Sequence, residues 1–420
     1  MKSRKLIISL AAFSAAAWGL FAVFGKTLAG ALDARFGSRV LQIAAGKTTD
    51  SRMFIQMRLR ETGLLLTAAA LIALAHLLAV SLIKRRTLPR LGWIFSALSG
   101  FVCLNAFAVV ATHTVLFWSL LFTGTGTTHN FTQYQIKRGL MREMLAPKQA
   151  VLLGSSQTRA EIDEGLLNDR LGTQLWTTEL HFPGSQVYDM LLSLEDLPPV
   201  KVDYVICYLS EGYFYVHSTA DGMMFFLNFR NLPEFYGMGG AFTHPGRYFA
   251  YGLLGNALPL FRLRDPLLGR ILGHSMMDLS QEEWNQSLDK DLAGRARFAE
   301  AGYHVGPDTV FQKKAFGVFA AKCRERHSVL IVCCGQMNPV LARAIEPSLR
   351  ADMLAFLRGQ AAQDTNIVLL DEADLPPQTE KDYDDLTHVN QAAQMRFSEF
   401  IAGVLEKLMH PNQPSGHAAR

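Results

Sequence analysis

Two short segments far apart in the chain hold residue types that together could run nucleophilic chemistry. Gly154-Ser155-Ser156 follows an apolar run, residues 150–153, that reads as a buried strand, and a helical pattern comes after it. A serine on a tight turn at a strand's carboxyl end has an exposed hydroxyl close to the backbone N–H groups of a helix N-terminus. That environment suits a nucleophile whose substrate develops an oxyanion. The second segment, Asp385-Leu386-Thr387-His388, follows the last strand-like run. A carboxylate three residues before a histidine can bend back to the ring N–H, fix its tautomer and stabilise the imidazolium formed during attack. Each segment also has a plainer reading. Ser-Ser before a helix is a common N-cap, and Asp385 belongs to an acidic cluster with Asp382 and Asp384 in which His388 would simply cap the next helix. Together they specify more: a nucleophile–base–orienter chain, Ser156–His388–Asp385. Arg159, three residues past Ser156, would meet an anionic substrate or serve as a surface helix residue.

The elements that must position these segments alternate strand and helix. Residues 150–153, 173–180, 204–209, 328–334 and 367–370 read as five short apolar strands. Helical patterns cover 160–170, 186–197 (stopped by Pro198-Pro199), 308–327 with Asp308 as N-cap, 347–362 and 389–408, and 376–386 is a polar loop. This order predicts an α/β fold with a five-stranded parallel sheet between two helical layers. Such sheets place their sites beyond the carboxyl ends of the strands, where the ends of the first and last strands would bring both segments to one edge.

Composition places the rest. The chain has 420 residues, is 49% hydrophobic and only 19% charged, and its mean hydropathy is +0.12. Length suggests roughly two to three domain-sized units. A net charge of +4 without a dense basic–aromatic patch argues against a nucleic-acid partner. The apolar excess sits at the front, in three stretches: 6–25, 63–83 with His76 as its sole titratable group, and 92–122. A bilayer-crossing helix needs roughly 20 apolar residues, which predicts three transmembrane helices. The third stretch is longer than one span needs, so it tilts or continues past His113 as an interfacial helix. The first is an uncleaved anchor or a signal peptide cut near Ala29-Gly30-Ala31. Lys2, Arg4 and Lys5, with Lys84, Arg85, Arg86 and Arg90, mark the cytoplasmic side. The loop 26–62 carries Arg35, Arg39, Lys47, Arg52, Arg58 and Arg60 against this, but more diluted. The expected protein therefore has a cytoplasmic N-terminus and everything after the third span outside the cytoplasm.

The expected divisions are a membrane domain 1–125, a connector 126–148, the α/β domain 149–210 and 308–409, an insertion 211–307 between the third and fourth strands, and a disordered tail 410–420. The insertion is aromatic and Gly-rich at first, then mixes Arg247, Arg262, Arg264 and Arg270 with large apolar residues. It reads either as a lid lying on the membrane or as a helical subdomain with its own core. The five cysteines show no CxxC or Cys/His metal spacing and read as small buried hydrophobes, so no metal and no cofactor is expected.

The pattern resembles the SGNH (GDSL-like) hydrolase superfamily over residues 149–408. It is most similar to the membrane-anchored extracytoplasmic branch that includes the D-alanyl-lipoteichoic acid transfer and alginate O-acetylation proteins. The resemblance rests on VLLGSSQTRAEID, whose third motif residue is Ser156, and on the Asp385-x-x-His388 motif. It implies an oxyanion-hole amide at Gly184 in FPGSQVYDML. The Gly-x-Asn-Asp motif that would supply an asparagine amide is absent, with YLSEGYF in its place, leaving Ser210 or Asn338 as substitutes. By this resemblance Ser156 attacks an acyl ester or thioester, His388 takes its proton, and the acyl group passes to a sugar or polyol hydroxyl or to water. The implied partners are the lipid bilayer, a cell-envelope glycan or polymer, and a multispan acyl-exporting membrane protein. The alternative is a catalytically inactive SGNH-like accessory or scaffold protein in envelope-polymer modification or export.

Overall fold

The computed structural model describes residues 51–86, 89–121, 127–144, 146–172, 174–216, 226–239, 245–261 and 292–410, with Leu263 and Leu267. The expected first span and the tail 411–420 lie outside the described residues, as do Arg262, Arg264, Arg270 and the side chain of Arg247. The chain forms two compact units. One runs to Glu143 and takes in Leu254–Ser275, and the other comprises Met144–Leu253 and Met276–Arg420. The stretch 211–307 is thus shared between the units.

The first unit is helical: α1 (Ser51–Arg86), α2 (Pro89–Ala111), α3 (Val115–Leu121) and α4 (Thr127–Leu140). α1 and α2 pack as an antiparallel pair, with His76 Nδ1 3.0 Å from Ser99 Oγ. Within α1, Met57–Ser81 has mean hydropathy 2.3 and is hardly buried, which makes it long and apolar enough to cross a membrane. Of the three expected spans, the first lies outside the described residues. Among the described residues there is one such helix, or two if the bent pair α2–α3 counts as one span. The third apolar stretch is broken at Thr112-His113-Thr114, and the chain turns by 107°. Thr112 and Thr114 hydroxyls donate back to the Ala108 and Ala111 carbonyls, competing with the helical ladder. The Glu61 carboxylate then accepts from the Val115 and Leu116 amides, at 2.9 Å each, and fixes the start of α3. Arg58 lies against both Glu61 and Glu143, so one guanidinium is shared between the two carboxylates.

The second unit carries the sheet. After β1 (Lys148–Gly154) come α5 (Ser156–Glu161), α6 (Glu164–Leu171), β2 (Leu175–His181), α7 (Val187–Asp196) and β3 (Tyr204–Leu209). Between β3 and β4 the described elements are α8 (Gly212–Tyr215), α9 (Leu232–Met238), α10 (Pro245–Ala257), α11 (Leu292–Glu300) and α12 (Pro307–Glu325). β4 (Val329–Cys334), α13 (Pro339–Ala344), α14 (Pro347–Gln363), β5 (Ile367–Leu370) and α15 (Gln391–Met409) complete the unit. All five strands are parallel, in the order β2-β1-β3-β4-β5.

One sheet face buries Ala150, Leu152, Ile206, Tyr208, Ile331 and Cys333 against Leu167 and Leu171 of α6 and Phe397, Ile401 and Leu405 of α15. The other face is covered by α7 and α12, which pack on β1, β4 and each other. Cys333 and Cys334 point to opposite faces as adjacent strand residues must. Both are buried free thiols, with their acidity suppressed by burial. β2 is an edge strand, and α6 closes that edge. Asn168 accepts from the Thr177 N–H at 2.7 Å and donates to its carbonyl at 2.9 Å, while Glu164 accepts from the Glu179 N–H. The helix expected over 160–170 is two helices, because Asp163 interrupts it and caps α6 through the Gly165 and Leu166 amides. The cap of α12 is Gly306 rather than Asp308, which lies inside the first turn after Pro307.

Candidate active site

The strand order reverses between β1 and β3, since β2 follows β1 outward on one side and β3, β4 and β5 extend on the other. At such a point adjacent connections leave on opposite faces and open a crevice beyond the strand ends. Ser156 stands there as the first residue of α5. Gly154 before it holds φ +157°, and a Cβ at this position would come within 2.0 Å of Thr158 Oγ1, so the turn requires glycine. Ser155 is structural. Its Oγ accepts from the Gln157 N–H at 3.2 Å and lies 2.7 Å from the Tyr213 hydroxyl, which also accepts from the Ser155 N–H. Ser156 therefore carries the one hydroxyl of the pair left for chemistry.

His388 arrives by a different route from the one expected. β1 is an interior strand and β5 the opposite edge, so the two segments do not share an edge. Instead the long connection from β5 to α15 returns across the carboxyl ends. It is pinned by a hydrogen bond from Gln378 Nε2 to Glu161 at 2.7 Å and by the Arg396–Asp382 ion pair at 2.6 Å. A short antiparallel bridge, Tyr383 with Val389, folds its tip into a turn closed by Asp384 N–H donating to the His388 carbonyl at 2.9 Å. Asn390, not His388, caps α15.

In that turn the three candidate residues meet. His388 Nε2 lies 2.8 Å from Ser156 Oγ, and His388 Nδ1 lies 2.8 Å from Asp385 Oδ2. Asp385 Oδ1 accepts from the Thr387 and His388 N–H groups, both at 2.8 Å. Burial is the largest influence on this carboxyl and pushes it up. The His388 ring and these two amides together outweigh it and hold it at about 2. A carboxylate so placed keeps the proton on Nδ1 and leaves Nε2 as the acceptor facing the serine. The His388 and Asp385 side chains are 30% and 26% exposed, so the chain of contacts is open to a ligand.

The oxyanion candidates separate. Gly184 (φ +71°) lies in the loop after β2, and that loop is tied to the nucleophile strand by Phe182 N–H donating to the Gly154 carbonyl at 2.9 Å. The amides of Gly184 and Ser156 take no acceptor among the described residues. Ser210 does not fit as a donor, because its buried hydroxyl proton is committed to Gln157 Oε1 at 2.7 Å. Asn338 does not fit either. Its Nδ2 donates to the Asp385 carbonyl at 2.9 Å and its Oδ1 accepts from the Val340 N–H, capping α13. Asn338 thus clamps the catalytic turn. Asn338→Ala should lower the stability of this unit by about 1–2 kcal/mol, read by thermal unfolding, through a lost cap and an unpaired carbonyl. Arg159 is exposed, and its carbonyl accepts from Gln394, in keeping with a surface helix position.

Two contributors were not visible in the sequence. Tyr213, in the aromatic run after β3, braces the nucleophile turn through Ser155 and Thr158. Glu161 is fully buried at the end of α5, and burial raises its carboxyl to about 7, with the Tyr208 and Gln378 hydrogen bonds and the His388 charge pulling the other way. Between pH 4.5 and about 7 the folded state then binds more protons at Glu161 than the unfolded one, so stability falls as pH rises. Glu161→Gln should remove that slope and leave the variant more stable above pH 7, by at most about 3 kcal/mol. Melting curves across this range check it. Asp189, buried and also raised to about 7, contributes equally to both proteins.

Fold and site define a parallel α/β unit with a Ser–His–Asp chain at its topological switch point. Sequence comparison gives the chain no match to a protein family and none to a curated protein. Among the described residues no cluster of His, Cys, Asp and Glu could hold a metal ion.

Proposed function

We propose that this protein is a membrane-anchored, extracytoplasmic serine acyltransferase or esterase of the SGNH type, acting on ester groups of a cell-envelope polysaccharide or polymer. The observation that carries the reading is the 2.8 Å approach of His388 Nε2 to Ser156 Oγ, with Asp385 on the far side of the ring. Hydrogen-bond contact between nucleophile and base, with the base held by a third group, is the arrangement that nucleophilic acyl transfer needs. His388 removes the Ser156 proton as Oγ attacks the acyl carbon. Asp385 stabilises the imidazolium, and the Ser156 and Gly184 amides receive the developing charge. The same imidazolium then protonates the leaving oxygen, and a glycan hydroxyl or water takes the acyl group from Ser156.

The apolar helix Met57–Ser81 supports the anchor. The basic residues Lys84, Arg85 and Arg86 just past it favour a cytoplasmic link between α1 and α2, and a return crossing by the bent α2–α3 pair would then carry the α/β unit outside the cytoplasm. Tethering raises the effective concentration of the site at the bilayer, which favours a lipid-linked or envelope polymer as acceptor. The test is labelling of the full-length protein in detergent with a phosphonofluoridate. Labelling that maps to Ser156 and vanishes in Ser156→Ala supports the enzyme. An unlabelled wild type beside a reacting control hydrolase sinks it.

A further inference from the structure

Two amides, from Ser156 and Gly184, leave one side of a developing oxyanion open, and no asparagine follows β3 to fill it. We propose that Gln157, the residue after the nucleophile, supplies the third donor from its side-chain amide, and that Ser210 is the positioning residue that turns it. This rests on the acyl-transfer reading above.

Gln157 is only 7% exposed, yet its amide is half used. Oε1 accepts from Ser210 Oγ at 2.7 Å. The backbone N–H is taken by Ser155 Oγ. The Nε2 end, with two N–H donors, has no acceptor among the described residues. Nε2 is not one of the sealed-off polar atoms without a partner, so its donors stay open to whatever group brings an acceptor. The location says which group that is. Gln157 springs from the helix that starts with Ser156, and it reaches Ser210 at the end of β3. It therefore bridges the β1–β3 crevice in which the attacked carbonyl must lie. Fixing Oε1 on Ser210 turns Nε2 away from β3, and Ser210 itself is wholly buried and anchored by its carbonyl to the Tyr213 N–H at 3.1 Å.

In the step, the Ser156 proton passes to His388 Nε2 and the Oγ–C bond forms. The carbonyl π pair moves onto oxygen, which accepts from the Ser156 and Gly184 amides and from Gln157 Nε2. When the carbonyl re-forms, the bond to the leaving oxygen breaks, and that oxygen takes the proton from His388.

The experiment uses full-length protein in detergent and follows acylation of Ser156 by p-nitrophenyl acetate and by its thiono analogue. Gln157→Glu keeps an oxygen for Ser210 but removes the donors, and Gln157→Met removes both in a similar volume. Each should slow acylation by the oxo ester about 10²–10³-fold, the usual loss for one oxyanion donor. The thiono ester, whose sulfur accepts hydrogen bonds weakly, should slow far less, so the oxo/thiono ratio falls. Ser210→Ala should lower the same ratio by a smaller factor and add nothing to Gln157→Met. Should wild type be acylated and both Gln157 variants, folded by their melting curves, react within about threefold of it, the assignment is overturned. An equal slowing of both esters also overturns it, since that marks a packing role alone. A wild type not acylated at Ser156 brings down the parent reading, and this inference with it.

Discussion

Ser156→Ala and His388→Ala are each expected to cut the acylation rate by about 10⁶-fold, with the double variant no slower than either alone. The two groups act as one device: without the imidazole the hydroxyl stays protonated, and without the hydroxyl the imidazole has nothing to activate. The described neighbours in sequence are committed elsewhere. Ser155, the adjacent alcohol, is held by Tyr213 and spends its oxygen on the Gln157 N–H. Glu161, the nearest buried carboxyl in sequence, is tied to Gln378. Both variants should melt close to wild type, because the His388 side chain is 30% exposed and its contacts belong to the site rather than the core. By contrast Ser155→Ala should cost about 1 kcal/mol of stability as a lost N-cap. Acylation kinetics with melting curves on the four proteins separate these effects. A Ser156→Ala protein that still acquires the acyl mass would defeat the assignment.

How much of this could be read from residues alone follows from the range of the forces involved. The strands at Tyr204–Leu209 and Ile367–Leu370 stand where short apolar runs put them, because burial on both faces leaves a signal in a few consecutive positions. Ser156 and the Asp385–His388 spacing were legible for a similar reason: a turn at a strand end and a three-residue bend are local geometry. The path that joins them was not. It depends on β1 being interior and on the β5–α15 connection running back from the β5 edge to the end of β1, which strand order decides and composition does not. Asn338 was misplaced on chemistry as well as position. An amide suits an oxyanion, but here both its ends are used on backbone groups, at Asp385 and Val340. In the third apolar stretch a separate helix past His113 was one of the two expected continuations, but the sharp turn before it was not legible. Hydropathy there is continuous, while Thr112 and Thr114 turn the chain through hydrogen bonds that no hydropathy sum records.

Asp385→Asn should lower the acylation rate by about 10⁴-fold while leaving the turn intact, which makes it the sharpest probe of how the base is set. Oδ1 of Asp385 holds two backbone amides, from Thr387 and His388, and Oδ2 holds the ring. An asparagine can satisfy the two backbone donors with its oxygen only by turning its NH₂ toward His388 Nδ1. That makes Nδ1 an acceptor and moves the proton to Nε2, the nitrogen facing Ser156. The histidine is then in place and in the wrong tautomer, unable to accept the serine proton. Asp385→Ala removes the turn's acceptor as well, so it should show both the rate loss and a lower melting temperature. The pair therefore separates orientation of the ring from stability of the loop. Acid behaviour follows the same carboxylate. Held at about 2 in the folded state and near 3.8 when unfolded, Asp385 contributes stability above about pH 4 that is lost as pH falls toward 2. Asp385→Asn should lack that part of the acid transition, and a variant that keeps both full activity and the wild-type acid profile would show that the ring is oriented by something else.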